Sequence, residues 1–297
     1  MSRTLITSRD PKGLHAVGLF EAVYNKSKLD DARAQRLNER GGELQDGIAK
    51  LIAELSVSNQ YANEEVRSNY TYPKEYKGSK PIADQIKALA KIFDLDPASA
   101  LEYAKNLPQL PDGAEGWFAI PSVDALAKKH FPEVTNPAQK YCQAVQLVHA
   151  KIAASRSLYN YREGQITPAQ LRVHARTAHA LASLAETQPG DILIVAAQLG
   201  LRHRGKSACR AREVCVVGEF GLGSLAVGSI VLTHLERLVR WNDLNMGCSG
   251  DEFSPEVDGD FSKTPFFGFS NGNVWFSTIF DGSPNVVIGS VSGFLSQ

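Results

Sequence analysis

The stretch Pro189-Gly190-Asp191-Ile192-Leu193-Ile194-Val195-Ala196 marks a change of architecture along the chain. Proline and glycine break regular structure. The apolar run behind Asp191 is short and bounded by turn residues, which predicts a buried strand over 191–196. Before this point the apolar residues recur with a helical period. After it they come in the short runs of a sheet.

Working back from it, Leu44, Ile48, Leu51, Ile52 and Leu55 stand at i, i+4, i+7, i+8 and i+11, one stripe of a helix over 43–55. Residues 14–25 and the charged stretch 29–40 are helix-prone, with Gly41-Gly42 separating the second from 43–55. Ile82, Ile86, Leu89 and Phe93 predict a helix over 81–93, and Pro97 fits the first turn of a short one. Asn136-Pro137-Ala138-Gln139 and Thr167-Pro168-Ala169-Gln170 each place a capping residue before a proline. The first leads into Tyr141, Val145, Val148 and Ile152 on one face, the second into Leu171, Ala175, Ala178 and Leu181. Trp117-Phe118-Ala119-Ile120 interrupts this helical region as an expected strand.

Working forward, Val214-Cys215-Val216-Val217 predicts a strand and 224–239 a helix. Residues 266–269, 274–280 and 285–288 predict strands separated by the turns Ser270-Asn271-Gly272-Asn273 and Asp281-Gly282-Ser283-Pro284. The fold class expected is α+β: a helix-rich N-terminal part, 1–188, then a sheet-containing part, 189–297, ending in an antiparallel β-meander. A strand at 117–120 that joined the later sheet would merge the two parts into one domain.

Of 297 residues, 43% are hydrophobic and 22% charged, which is globular composition with enough apolar surface for a large core. The formal net charge is zero, which speaks against a wholesale nucleic-acid or membrane-surface binder. The longest uncharged stretch, 220–235, falls short of the roughly 20 apolar residues of a membrane span. Charged residues arrive at Arg9 and Asp10 before any apolar core forms, so no signal peptide is expected. Four cysteines then read as free thiols, and the expected location is cytoplasmic.

The zero conceals a split. Residues 191–241 hold seven basic and four acidic side chains, whereas 242–297 hold one basic and seven acidic. Arg202, His203, Arg204, Lys206, Arg210 and Arg212 form the densest basic cluster. It follows the predicted 191–196 strand, where α/β folds place ligand-binding loops, and guanidinium forks match phosphate geometry. This points to an anionic, phosphate-bearing ligand: a metabolite, a nucleotide or a nucleic acid. A solvated loop paired with the acidic 251–260 segment accounts for the same charges.

In that acidic segment Asp251, Glu252, Asp258 and Asp260 offer oxygen ligands for a divalent cation, although the spacing is not that of an EF-hand. Gly221-Leu222-Gly223-Ser224-Leu225-Ala226 fits a dinucleotide fingerprint with Asp243 about 20 residues on. The strands downstream lack the further βα units that fingerprint requires, which leaves a tight strand–helix turn as its reading. Gly268-Phe269-Ser270-Asn271-Gly272 fits a nucleophile elbow in letters, but a strand follows it and no histidine lies beyond His234, so it reads as a hairpin turn. Glu219, Asp251, Glu252 and Cys248 are the candidates for catalytic work, Cys248 as a thiol exposed in Gly247-Cys248-Ser249-Gly250. Tyr61, Tyr70, Tyr72 and Tyr76, interleaved with Arg67, Lys74, Lys77 and Lys80, offer a stacking platform for single-stranded nucleic acid, but Glu64, Glu65 and Glu75 blunt the field, which leaves a loop packing its rings on the helical part as the reading.

Three functions are compatible with these residues. One is a binding or regulatory protein that holds an anion in the basic loop. The second is a hydrolase or transferase on a phosphate-bearing substrate that adds Glu219, Asp251 or Glu252. The third is a structural or interaction protein without a small ligand, with a protein partner or a second copy of itself.

Overall fold

The structure, a computed structural model, describes residues 7–55, 59–257 and 259–295. The chain divides into two compact units, Met1–Ser56 and Val57–Gln297. The first holds three helices, α1 (Pro11–Lys26), α2 (Asp31–Glu39) and α3 (Gly41–Leu55). The Asp30 side chain caps α2 by accepting from the Arg33 N–H at 2.8 Å. No described residue of this unit is buried.

The second unit begins with α4 (Ile82–Phe93), α5 (Ala98–Tyr103), β1 (Gly116–Pro121), α6 (Val123–His130) and α7 (Pro137–Ser155). It continues through β2 (Leu158–Asn160), β3 (Leu171–Val173), α8 (Ala175–Thr187), β4 (Ile192–Gln198) and α9 (Ala208–Glu213). Then come β5 (Glu219–Gly221), α10 (Ser224–Thr233), β6 (Asn245–Gly247) and β7 (Asp251–Phe253). The strands β8 (Lys263–Ser270), β9 (Asn273–Phe280), β10 (Ile288–Ser290) and β11 (Ser292–Phe294) close it. The chain is α+β, with helices mainly in its first half and these strands at its end.

Two sheets flank α10. The first runs β1-β4-β11-β5, every neighbour antiparallel. In the second, β8 pairs with β9 along its whole length on one edge and with β6 and β7 on the other. β10, β3 and β2 extend it beside β6, β7 and β9. All ten residues of α10 are buried, and the helix packs against α7, β1 and β8. A helix apolar on every side has to be central, since no face of it suits water. The β8–β9 hairpin turns at Asn271 and Gly272, both at positive φ, the conformation an Asn-Gly two-residue turn favours.

The division between units falls at Ser56 rather than at 188, because β1 pairs residue by residue with β4, from Gly116↔Ala197 to Pro121↔Ile192. The strand at 117–120 thus ties the helical stretch after Val57 to the sheets.

Four local expectations differ from the structure. Thr167 closes a turn, accepting from the Gln170 and Leu171 amides, and Leu171–Val173 becomes β3 against β7. The helix starts later, at Ala175, with His174 as its cap. Val214–Val217 is no strand: Val217 is exposed, Glu219 N–H bonds back to Val216 O, and the strand is Glu219–Gly221. The helix over 224–239 ends at Thr233, followed by a single 3-10 turn at Leu235–Arg237. The strand expected over 285–288 is β10, Ile288–Ser290, preceded by a turn in which Ile288 N–H bonds to Asn285 O.

Candidate functional site

The basic cluster sits on two short elements after β4, the 3-10 turn Leu201–His203 and α9. Each of its side chains meets a group of the protein. Arg202 Nε lies 3.1 and 3.2 Å from the two Glu219 carboxylate oxygens, and His203 Nε2 lies 2.7 Å from Oε1. Arg204 Nη1 donates to Tyr70 O at 3.0 Å, and Lys206 Nζ lies 3.9 Å from Glu65. Arg210 joins Glu65 through Nε and Glu213 through Nη1 at 2.8 Å. Arg212 donates to the carbonyls of Ser249 and Asp251, both at 2.8 Å, with Asp281 at 4.0 Å. The turn expected to await an outside counter-charge has Glu65, Glu213, Glu219 and Asp281 facing its other cations, while Arg204 is held by the Tyr70 carbonyl.

Glu219 is the centre of this arrangement. It is fully buried and also accepts from Ser292 Oγ at 2.6 Å and the Val216 amide at 3.2 Å. Burial alone would raise its pKa; the hydrogen bond and charge of His203, with Ser292 and Arg202, outweigh burial and hold it at about 2. Held ionised in this way, Glu219 serves as the internal counter-charge of Arg202 and His203.

The acidic loop does not converge. Asp251 is fully buried, Glu252 pairs with Arg172 Nε at 2.7 Å, Asp260 is exposed, and Asp258 lies outside the described residues. Asp251 instead occupies the N-terminus of α10. Its Oδ2 accepts from the Ser224 amide at 2.6 Å and its Oδ1 from Tyr141 Oη at 2.7 Å. This is the place a pyrophosphate takes in a dinucleotide site. A Cβ on Gly223 would come within 2.3 Å of Asp251 Oδ1 and 2.5 Å of Tyr141 Oη, so the glycine admits the protein's own carboxylate. The strand–turn–helix reading of Gly221–Ala226 is right, and the anion it receives is internal.

Cys248, expected to be exposed, is fully buried, and burial pushes its thiol well up. The turn that holds it is covered because Gly250 packs against the backbone of Gly221, Leu222 and Gly223. Cys209 and Cys215 are half-buried, each pushed up to about 12, first by burial and then by Asp281 and Glu219 respectively. None is an activated nucleophile. Tyr72 and Tyr76 stack edge to face at 5.3 Å, with Tyr76 against His234, as a packed loop rather than a stacking platform.

Two features escaped the sequence. His203, Cys215 and Glu219 present donor atoms within 4.8 Å of one another, the one such group of metal-binding types among the described residues. Their spacing matches no ligand motif, and Cys215 reads as a strand residue. An open cleft of about 540 Å³ is lined by Ser99, Tyr103, Thr187, Gln188, Pro189 and Ile192, and shares no residue with the basic cluster. Among the described residues no helix is long and apolar enough to cross a membrane. Compared with protein-family models, curated proteins and solved structures, the chain matches none.

Proposed function

We propose that the chain is a cytoplasmic structural or interaction protein that works by self-association through its helical N-terminal unit. The observation that carries this reading is an apolar stripe without a core. Leu51, Ile52 and Leu55 on α3 are 53%, 61% and 78% exposed. On α1, Leu14, Val17, Leu19, Phe20 and Val23 are exposed as well. Burying one such side chain is worth about 1.5–3 kcal/mol, so the stripe gains far more against a partner than in water.

The spacing favours a second copy as that partner. Leu44, Ile48, Leu51 and Leu55 follow intervals of four, three and four, a coiled-coil seam with Ile48 and Leu55 at a and Leu44 and Leu51 at d. Such a seam is self-complementary, because every copy brings the same row of knobs and holes. The internal pairing of the basic cluster supports this reading from the other side, since it leaves little there for an anionic ligand to bind.

The full-length chain is expected to be a dimer or higher oligomer by size-exclusion chromatography with light scattering. The double variant Leu51→Glu, Leu55→Glu should run as a monomer with an unchanged near-UV circular dichroism spectrum. A monomeric wild-type chain, or a variant that assembles as before, would remove the reading.

A further inference from the structure

His203 ends the 3-10 turn behind β4, Cys215 follows α9, and Glu219 opens β5, so three consecutive elements deliver one nitrogen, one sulfur and one carboxylate to the same place. We propose that this cluster binds a thiophilic divalent metal ion of the zinc class. The site is separate from the self-association surface and does not depend on it.

The donor set argues for the class. Nitrogen, thiolate and carboxylate together suit zinc or cobalt, whereas calcium and magnesium take oxygen ligands alone. Three protein ligands leave a fourth tetrahedral position for water or a small ligand. One thiolate and one carboxylate supply two negative charges to the divalent ion, with the guanidinium groups of Arg202 on Glu219 and Arg176 beside Cys215 at the edge of the cluster. A thiol that binds the ion gives up its proton, because the cation stabilises the thiolate. Binding therefore releases one thiol proton to solvent.

His203 is poised for the exchange. It is 2% exposed, its Nε2 donates to Glu219 Oε1, and its buried Nδ1 has no hydrogen-bond partner. An ion placed between imidazole and carboxylate replaces the proton at Nε2, and the unpartnered Nδ1 is the nitrogen left to carry the ring proton. Ser292, Arg202 and the Val216 amide fix the Glu219 carboxylate from outside the cluster. Cys215 is half-buried and the Arg202 side chain is 34% exposed, which gives solvent ions an approach.

Cobalt(II) titrated into metal-free full-length protein is expected to bind once per chain and to give the near-ultraviolet charge-transfer band of a cobalt thiolate, bleached by zinc. Cys215→Ser should abolish the band, while Cys209→Ser, at a half-buried cysteine outside the cluster, should keep it. Ser292→Ala, which loosens Glu219, should keep the band and weaken cobalt binding about tenfold. In the wild-type chain zinc should slow alkylation of Cys215, followed by peptide mass mapping, a readout that needs no variant. No band, a band that survives Cys215→Ser, or Cys215 alkylation unchanged by zinc would each overturn the assignment.

Discussion

Asp251→Ala is expected to cost about 3–5 kcal/mol of stability, a large share of what an ordinary domain possesses. Asp251 is fully buried and joins three elements: it opens β7, accepts from Tyr141 on α7, and caps α10 at Ser224. Alanine would leave the Tyr141 hydroxyl and the Ser224 amide buried without an acceptor, at about 1–3 kcal/mol each. Asparagine keeps an acceptor oxygen and removes the buried charge, so Asp251→Asn should lose much less.

The contrast has a pH signature. Burial raises the Asp251 carboxyl from its ordinary 3.8 to about 6, against the opposing hydrogen bonds of Ser224 and Tyr141. A raised folded-state value means that the folded protein favours the protonated form. The stability this group contributes is therefore complete below its ordinary value and lost as pH rises through about 6. The side-chain amide of the Asp251→Asn variant cannot titrate. The stability of wild type minus that of Asp251→Asn should fall as pH rises between these values and stay level above them. Urea unfolding across the pH series measures it, and a difference independent of pH would show that Asp251 does not titrate as its surroundings dictate.

What was legible in the sequence is what local and tertiary forces agree on. Asn136-Pro137 announces α7, the Asn136 side chain does accept from the Gln139 amide at 3.0 Å, and Tyr141, Val145, Val148 and Ile152 are all buried. The 191–196 strand is β4 extended to Gln198, buried at every position. Thr167-Pro168 carries the same start signal and fails because Leu171 pairs with Phe253, a partner over 80 residues away that no local window contains. The site is harder still. The role of Glu219 depends on His203 before it and Ser292 far beyond it, brought together because β5 and β4 both pair with β11. A sequence lists the basic residues of 202–212, and Glu213 lies beside them on α9, but Glu65, Glu219 and Asp281 reach them only through the fold. Charge density in a loop thus says little about a ligand until the fold discloses what faces it.

Arg237 is the other position where a single change should cost a large share of the stability. It is the largest fully buried side chain of the described residues, and it makes no direct ion pair there. Its Nη1 donates to Leu244 O at 2.7 Å and its Nη2 to Leu199 O at 2.9 Å, while the guanidinium stacks 4.2 Å from the centre of the Tyr72 ring. Tyr72 Oη in turn donates to Glu115, whose other contact is the Leu199 amide at 3.2 Å. The positive charge is thus balanced through an aromatic face and two carbonyls, an arrangement that needs a planar, forked donor. Arg237→Ala would leave a large cavity and two unsatisfied carbonyls, a loss of about 3–5 kcal/mol. Arg237→Lys should lose nearly as much, because an ammonium cannot reach both carbonyls and stack on Tyr72 at once. Arg237→Met leaves the carbonyls unpaired but fills the space without a charge, and should lie between alanine and wild type. The exposed Arg240, paired with Glu75, serves as the control, with an expected cost below about 1 kcal/mol for Arg240→Ala. Chemical denaturation of the four variants ranks them. Equal losses for Arg237→Ala and Arg240→Ala would mean that the buried guanidinium is not what joins the Leu199 and Leu244 segments.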